Sequence, residues 1–176
     1  MQQVILNIGL VNDIIYTTKY HEVLMIDYNK LCAELSSLID EVPYKIANLA
    51  NASALLYNTL ENINWAGFYL IEDNKLILGP FQGKPACIEI PLGKGVCGTA
   101  AMRGQTVLVP DVHKFEGHIA FDGASNSEIV IPLVNNHGSV IGVLDIDSPI
   151  FDRFSEADRS GLEKFAQILS KSLFIS

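Results

Sequence analysis

Apolar residues along the chain recur at two spacings, one typical of helices and the other typical of strands. Between Asp27 and Asp40, leucine and isoleucine recur every three or four positions, which predicts an amphipathic helix. Residues 44–58 are rich in small side chains and predict a second helix that packs closely on a sheet. Ser155 precedes another apolar stripe, so a capped helix is predicted from there to about Leu173.

Strand patterns fill the middle of the chain. Aromatic and branched residues predict strands over residues 64–72, 75–78, 86–90, 106–109, 129–134 and 140–146. Turn sequences at Asp73-Asn74 and at residues 135–138 join neighbouring strands. The predicted fold class is therefore α+β, with a central, mainly antiparallel sheet of about five or six strands that is flanked by helices.

Composition limits the class of protein. The 176 residues, 49% hydrophobic and 18% charged, fit one globular domain. A net charge of −8 without a basic run argues against nucleic acid or an anionic membrane as partner. Residues 1–25 show no signal-peptide pattern and are interpreted as an appendage of unclear role before a single domain over residues 26–176. A cytoplasmic location is predicted.

The segment Gly79–Ala100 contains two of the three cysteines, Cys87 and Cys97. Cys87 is predicted to lie on the strand over residues 86–90, and Cys97 in the first turn of a short helix. Unpaired backbone N–H groups at a helix N-terminus favour a thiolate, and a second cysteine within reach would permit thiol redox chemistry. The alternative is that both are ordinary buried residues, as is expected for Cys32 beside the first apolar stripe.

Three carboxylates are predicted to meet on the sheet. Alternation places Asp145 and Asp147 on one face of a central strand, and Glu128 opens the preceding strand. If these strands form a hairpin, the three carboxyl groups come together. Such a cluster could bind an ammonium group and keep one acid protonated, because crowded like charges raise a pKa. The alternative is that Asp147 only forms a turn and Asp145 is paired locally.

Aromatic residues and a long loop supply the remaining candidates. Trp65, the only tryptophan, shares a strand face with Tyr69, and Gly67 between them would leave space for a ligand. Core packing is the alternative interpretation of these aromatic residues. The loop over residues 111–126 is long for a compact domain, which is typical of a lid. His118 within that loop is interpreted as an anchor rather than as an acid–base group.

Seven motifs, taken in order, resemble the free methionine-(R)-sulfoxide reductases, a family built on a GAF domain. They lie between about Ile46 and Leu169 and read A-N-A-S-A-L-L-Y, N-W-A-G-F-Y, L-G-P-F-Q-G-K-P-A-C, G-K-G-V-C-G-T-A, G-H-I-A, S-E-I-V-I-P and G-V-L-D-I-D-S-P. The resemblance implies a GAF-like fold, a homodimer and free L-methionine-(R)-sulfoxide as substrate. It also implies that no metal or organic cofactor is used.

The resemblance implies a role for each candidate residue. Trp65 and Tyr69 would hold the S-methyl end of the substrate, while Glu128, Asp145 and Asp147 would bind its amino group and assist protonation of the sulfoxide oxygen. A cysteine thiolate would attack sulfur, methionine would leave, and the sulfenic acid would be trapped as a disulfide. Thioredoxin would then reduce that disulfide.

One position departs from the family pattern. The family carries a third redox cysteine in the pattern G-H-I-A-C-D, and this chain has Phe121 there. In one outcome Cys97 attacks and Cys87 resolves, which leaves an altered but working enzyme. In the other, the chain is a non-catalytic domain that binds methionine sulfoxide or a related amino acid, and Phe121 fills part of the pocket. We expect the first outcome.

Overall fold

The computed structural model describes residues 26–117 and 123–173. The predicted appendage over residues 1–25 lies outside the described residues, and so do His118 and Phe121.

Six strands of the described chain form one sheet in the order β3-β2-β1-β6-β5-β4, and every neighbouring pair is antiparallel. The elements, in chain order, are α1 (Tyr28–Ile39), α2 (Lys45–Thr59), β1 (Trp65–Glu72), β2 (Lys75–Gly83), β3 (Glu89–Pro91), α3 (Gly95–Arg103), β4 (Val107–Val109), a 3-10 turn (Val112–Lys114), β5 (Ser127–Val134), β6 (Val140–Ser148) and α4 (Glu156–Ser172). The predicted α+β class and the predicted number of strands are confirmed.

Local sequence explains where the long helices begin. The Asp27 side chain accepts hydrogen bonds from the backbone N–H groups of Asn29 and Lys30, both at 3.0 Å, and so caps α1. Ser155 and Asp158 form a capping box at the start of α4. These helix starts agree with the sequence prediction.

The sheet separates two hydrophobic clusters. Helices α1, α2 and α4 cover one face and form the larger cluster, in which Cys32 is buried as predicted. Helix α3 and the segment before β3 cover the other face, where Trp65, Tyr69 and Cys97 are buried. Alternation along β1 and β6 decides which side chains enter which cluster. Cys97 and the aromatic residues therefore share one side of the sheet.

A strand forms near the predicted range of residues 86–90, but its predicted start is wrong. Strand β3 spans only Glu89–Pro91, and Cys87 lies in an irregular segment before it. The physical reason is that β2 extends to Gly83 and Pro85 follows, which lacks an N–H group and cannot donate to a sheet ladder. Cys87 is therefore on a connecting segment, not on a stiff strand.

Among the described residues, no helix has the length and apolar character that a membrane crossing requires.

Candidate functional site

A pocket lies on the sheet face that carries α3. Six of the residues predicted from sequence line it: Trp65, Tyr69, Cys97, Glu128, Asp145 and Asp147. The other lining residues are Asn64, Lys84, Pro85, Ala86, Ile90, Lys94, Gly95, Val96 and Ser125. Its inner free volume is about 30 Å³, which is room for about one or two water molecules. Of the predicted site residues that the structure describes, Cys87 is the one that does not line the pocket.

The hairpin of β5 and β6 brings the three acids together, as predicted. Glu128 is paired in register with Asp147, and Val130 with Asp145. Glu128 and Asp145 are only 5% and 4% exposed, whereas Asp147 is half-buried. Strand β1 lies on the other side of β6, with Trp65 opposite Asp147. The polar floor of the pocket is thus built by the central strand and its two neighbours.

Burial raises the pKa values of the two most buried acids of the pocket, Glu128 and Asp145. It raises the pKa of Glu128 well above the usual range, and the nearby Asp145 and Asp147 carboxylates raise it further. Burial also raises the pKa of Asp145, to about 6, against an opposing effect of hydrogen bonds with Cys97 and Glu128. The pKa of Glu128 is thus raised strongly by burial and by its acidic neighbours, while the pKa of Asp145, at about 6, leaves that group largely ionised at neutral pH.

One oxygen of Asp145 lacks a partner. The Oδ1 atom is buried and accepts no hydrogen bond from any residue that the structure describes. A buried carboxylate oxygen without a donor is costly, because it loses its hydration and gains nothing in return. The site is therefore suited to a ligand that brings a hydrogen-bond donor or a positive charge to this atom.

Cys97 lies in the first turn of α3, as predicted, but it is not held as a thiolate. Its Sγ atom is 4.0 Å from Glu128 Oε1, and the residue is 4% exposed. Burial raises the pKa of Cys97 well above its ordinary value, and Asp145 and Glu128 raise it further. The expected thiolate is wrong for the unliganded protein, because burial and adjacent acids outweigh the favourable helix N-terminus.

Aromatic side chains form one wall of the pocket. The Trp65 ring stacks against Tyr69 at a centroid distance of 6.0 Å and against Phe81 at 5.2 Å. Its Nε1–H donates to the carbonyl oxygen of Lys84 at 3.0 Å, which fixes the indole. Phe81 gave no signal in the sequence because its place opposite Gly67 depends on the pairing of β1 with β2.

The space predicted above Gly67 is not free for a ligand. A Cβ atom at this position would lie 2.6 Å from Cη2 of Trp65 and would overlap the side chain of Phe81. The prediction is therefore wrong: the glycine makes room for these two side chains. Gly67 allows the indole to lie flat along the sheet.

Tyr69 connects Cys87 to the pocket wall. Its buried hydroxyl donates to the carbonyl oxygen of Cys87 at 3.1 Å. Burial raises the pKa of Tyr69, and the Asp145 carboxylate raises it further. Cys87 is half-buried and packs against the cluster that contains Cys97. The structure thus brings both cysteines to one face of the sheet.

Four polar residues of the lining were missed from the sequence: Lys84, Lys94, Asn64 and Ser125. Asn64 Nδ2 donates to Ser125 Oγ at 3.0 Å, while the Asn64 backbone N–H donates to the carbonyl oxygen of Asp147 at 3.0 Å. Asn64 lies next to Trp65 in the N-W-A-G-F-Y motif, and Ser125 lies in the loop before Glu128. Neither position carries a pattern that distinguishes it from an ordinary turn residue.

The same pocket offers a set of metal ligands. Within the described chain, one ligand atom from each of Cys97, Glu128 and Asp145 lies within 4.8 Å of the other two. One thiol and two carboxyl groups could hold a divalent cation of the zinc type.

Comparisons with known proteins identify the domain family of this chain and its similar relatives. Residues 34–173 match the family model for the GAF domain. A free methionine-R-sulfoxide reductase of Escherichia coli (strain K12) is 54% identical over 156 residues, which cover 89% of this chain and 90% of that relative. The protein of the same name from Saccharomyces cerevisiae is 51% identical over 134 residues, which cover 72% of this chain and 74% of that relative. The structure of fRMsr of Staphylococcus aureus in complex with substrate is 53% identical with a TM-score of 0.80, and the match covers 84% of this chain and 96% of that one.

Proposed function

Because this chain belongs to the GAF domain family and, within it, to the free methionine-R-sulfoxide reductases, we propose that it reduces free L-methionine-(R)-sulfoxide by thiol chemistry at Cys97. The observation that carries the proposal is the placement of a buried thiol beside a buried carboxyl group, with 4.0 Å between Cys97 Sγ and Glu128 Oε1, and burial raises the pKa of that carboxyl group well above its usual range. A thiol redox reaction on a sulfoxide needs a nucleophile and a proton donor at the same place.

The carboxylates would bind the ammonium group of the free amino acid. Asp145 is ionised at neutral pH and its Oδ1 atom has no donor among the described residues, which supports a charge-assisted hydrogen bond from the substrate. Asp147 lines the same side of the pocket. Trp65 and Tyr69 supply an apolar wall for the S-methyl group. A residue within a polypeptide has no such ammonium group, so this arrangement favours a free amino acid.

Glu128 would protonate the sulfoxide oxygen, which makes the substrate sulfur electrophilic. Cys97 sulfur then attacks that sulfur and oxygen is transferred, so that one thiol and one sulfoxide give one sulfenic acid and one methionine. Asp145 forms hydrogen bonds with both Cys97 and Glu128. The thiol proton would therefore pass by way of Asp145 to Glu128 and replace the proton that Glu128 donates. The step needs no further reductant, because the cysteine sulfur is oxidised as the sulfoxide is reduced.

Cys87 would resolve the sulfenic acid. Of the three cysteines of the chain, Cys32 lies in the cluster on the other side of the sheet, whereas Cys87 and Cys97 flank Tyr69. The Cys87 thiol would displace water from the sulfenic acid and form a disulfide. We propose thioredoxin as the dithiol that reduces this disulfide, and we propose that the enzyme acts in the cytoplasm as a homodimer, as the family resemblance implies.

A second candidate is a non-catalytic binding domain, and two observations favour it. Burial raises the pKa of Cys97 and so favours the neutral thiol, and Phe121 stands where the family resemblance implies a redox cysteine. In that case the acids would still bind the amino acid, but no sulfur would be reduced.

The test is the consumption of free L-methionine-(R)-sulfoxide with dithiothreitol. We expect turnover by the wild-type protein, a loss of about a thousandfold or more in Cys97→Ser, and a loss of about 100-fold or more in Glu128→Gln, which keeps the shape but not the proton. Cys32→Ala, which changes a cysteine in the other core, and Glu89→Gln, which changes an exposed acid, are the matched controls. Unchanged activity in Cys97→Ser would exclude the mechanism, and activity found only after Phe121→Cys would favour the binding domain.

A further inference from the structure

We propose that, in the reduced protein, Cys97, Glu128 and Asp145 form a binding site for one Zn²⁺ ion, which occupies the pocket in place of the amino-acid substrate. Direct metal binding does not depend on the proposed reductase activity. It uses three side chains from three separate elements, α3, β5 and β6.

The distances are close to those of a metal site. One ligand atom from each residue lies within 4.8 Å of the others, and the Cys97 Sγ to Glu128 Oε1 distance is 4.0 Å. In a tetrahedral zinc site, bonds of about 2.3 Å to sulfur and about 2.1 Å to oxygen place the ligand atoms about 3.5 Å apart. Contraction of the cluster by about 1 Å through side-chain rotation is therefore sufficient. No backbone rearrangement is needed.

An independent observation points to a missing cation. Asp145 is 4% exposed, lines the pocket, and has a buried Oδ1 atom without a hydrogen-bond partner among the described residues. A metal ion would coordinate this oxygen and remove the cost of burying it alone. The ion would also compensate the negative charges that the cluster acquires when Cys97 and Glu128 release their protons to become ligands beside the Asp145 carboxylate.

The ligand atoms and the free volume of the pocket determine which metal ion the cluster favours. A thiolate with two carboxylates suits zinc, which accepts sulfur and oxygen, whereas calcium and magnesium take oxygen ligands alone. The inner volume of about 30 Å³ holds an ion with about one water as fourth ligand, but not a shell of six to eight oxygen atoms. Cys97 and Glu128 would lose their protons to solvent on binding, since zinc coordinates the thiolate and the carboxylate.

The bound ion would block both functions of the pocket. It would take the Asp145 oxygen that the substrate ammonium needs, and it would cover the sulfur that attacks the sulfoxide. Zinc would therefore inhibit the enzyme and protect Cys97 from oxidation and alkylation, and a chelator would reverse both effects.

The test is calorimetric titration of ZnCl₂ into the reduced, metal-free full-length protein. We expect one ion per chain, with affinity reduced about 10- to 100-fold or more in Cys97→Ser and in Asp145→Asn. Cys87→Ser, which changes a cysteine outside the cluster, should bind zinc like the wild type. Affinity that is unchanged in Cys97→Ser, or lost in Cys87→Ser, would overturn the proposal, as would the absence of binding to the wild type.

A second measurement keeps the test valid if a variant does not fold. Co²⁺ bound to the wild-type protein should give the charge-transfer absorption of a cobalt–thiolate bond, and zinc should abolish it. Co²⁺ binding without that absorption would overturn the proposal. Neither measurement uses turnover, so a protein that binds zinc but reduces no sulfoxide would contradict only the proposed reductase activity.

Discussion

Cys97 shows how a residue's neighbours decide its chemistry. Its place at the start of α3 favours a thiolate, but burial beside Asp145 and Glu128 raises its pKa well above the ordinary value. A substrate that brings a positive ammonium group into this cluster would reverse part of that effect. We expect the nucleophile to be activated by substrate binding, which would keep the free enzyme resistant to unspecific thiol reactions.

Alkylation by iodoacetamide as a function of pH tests this directly. Because the pKa of Cys97 is raised, its thiolate fraction and its reaction rate should rise only at a pH above the ordinary cysteine range. Asp145→Asn removes a negative charge that raises this pKa, so the rise in rate should move to lower pH. The rate at each cysteine is followed by peptide mass mapping.

The half-buried Cys87 is the internal control for that experiment. At pH 7 Cys97 should react more slowly than Cys87 in the wild-type protein. Faster reaction at Cys97 would mean that the helix N-terminus, not the acidic cluster, controls its pKa.

At the scale of elements, the packing of α3 against the end of β3 determines where Cys97 lies. Gly98, the next residue, packs so closely on the end of β3 that a Cβ atom would overlap the carbonyl oxygen of Pro91. Backbone atoms of that kind cannot move aside easily. The contact between α3 and β3 therefore sets the distance from the thiol to the acids on β5 and β6.

Gly98→Ala should displace α3 and separate Cys97 from Glu128. We expect a loss of roughly 1–3 kcal/mol in the free energy of unfolding and a loss of sulfoxide reduction greater than about tenfold. Urea denaturation and the dithiothreitol assay measure the two effects. Gly123→Ala is the matched control, since a Cβ atom there meets no atom of the described residues within 4 Å and no change is expected. Full activity in Gly98→Ala would show that the position of α3 is not critical.

At the scale of the whole molecule, the sheet divides a large core from a small reactive one. Helices α1, α2 and α4 bury the larger cluster, which includes Cys32, while the pocket lies in the smaller cluster under α3. The larger core can hold the sheet in place while side chains around the pocket rearrange. The division also separates Cys32 from the redox pair.

Treatment of the reduced protein with one equivalent of L-methionine-(R)-sulfoxide should therefore form a disulfide between Cys87 and Cys97. Cys87 lies in an irregular segment whose carbonyl oxygens accept hydrogen bonds from the Tyr69 hydroxyl, at Cys87, and from the Leu78 N–H group, at Ile88. These contacts hold Cys87 beside the cluster that contains Cys97, so we expect a local shift to bring the sulfurs together. Peptide mass mapping without reductant detects the product. A disulfide that includes Cys32, or none at all, would contradict the two-cysteine cycle.

Much of the architecture follows from the sequence because its causes are local. The apolar stripes and the cap at Ser155 predict the first and last helices, and alternation along the last two strands predicts that Glu128 meets Asp145 and Asp147. A hairpin needs only its turn and its pattern to fix this register. The family motifs likewise identify the chain as a GAF domain of the reductase type.

Only the tertiary structure decided the state of Cys97, the place of Cys87 and the filling of the space above Gly67. Each depends on groups far apart in the sequence: the pKa of Cys97 on acids at positions 128 and 145, and the fit at Gly67 on Phe81 across the sheet. The sequence by itself determined which elements form and which chemical groups are present. Their burial and mutual distances, which set pKa values and free space, arise only when separate elements pack together.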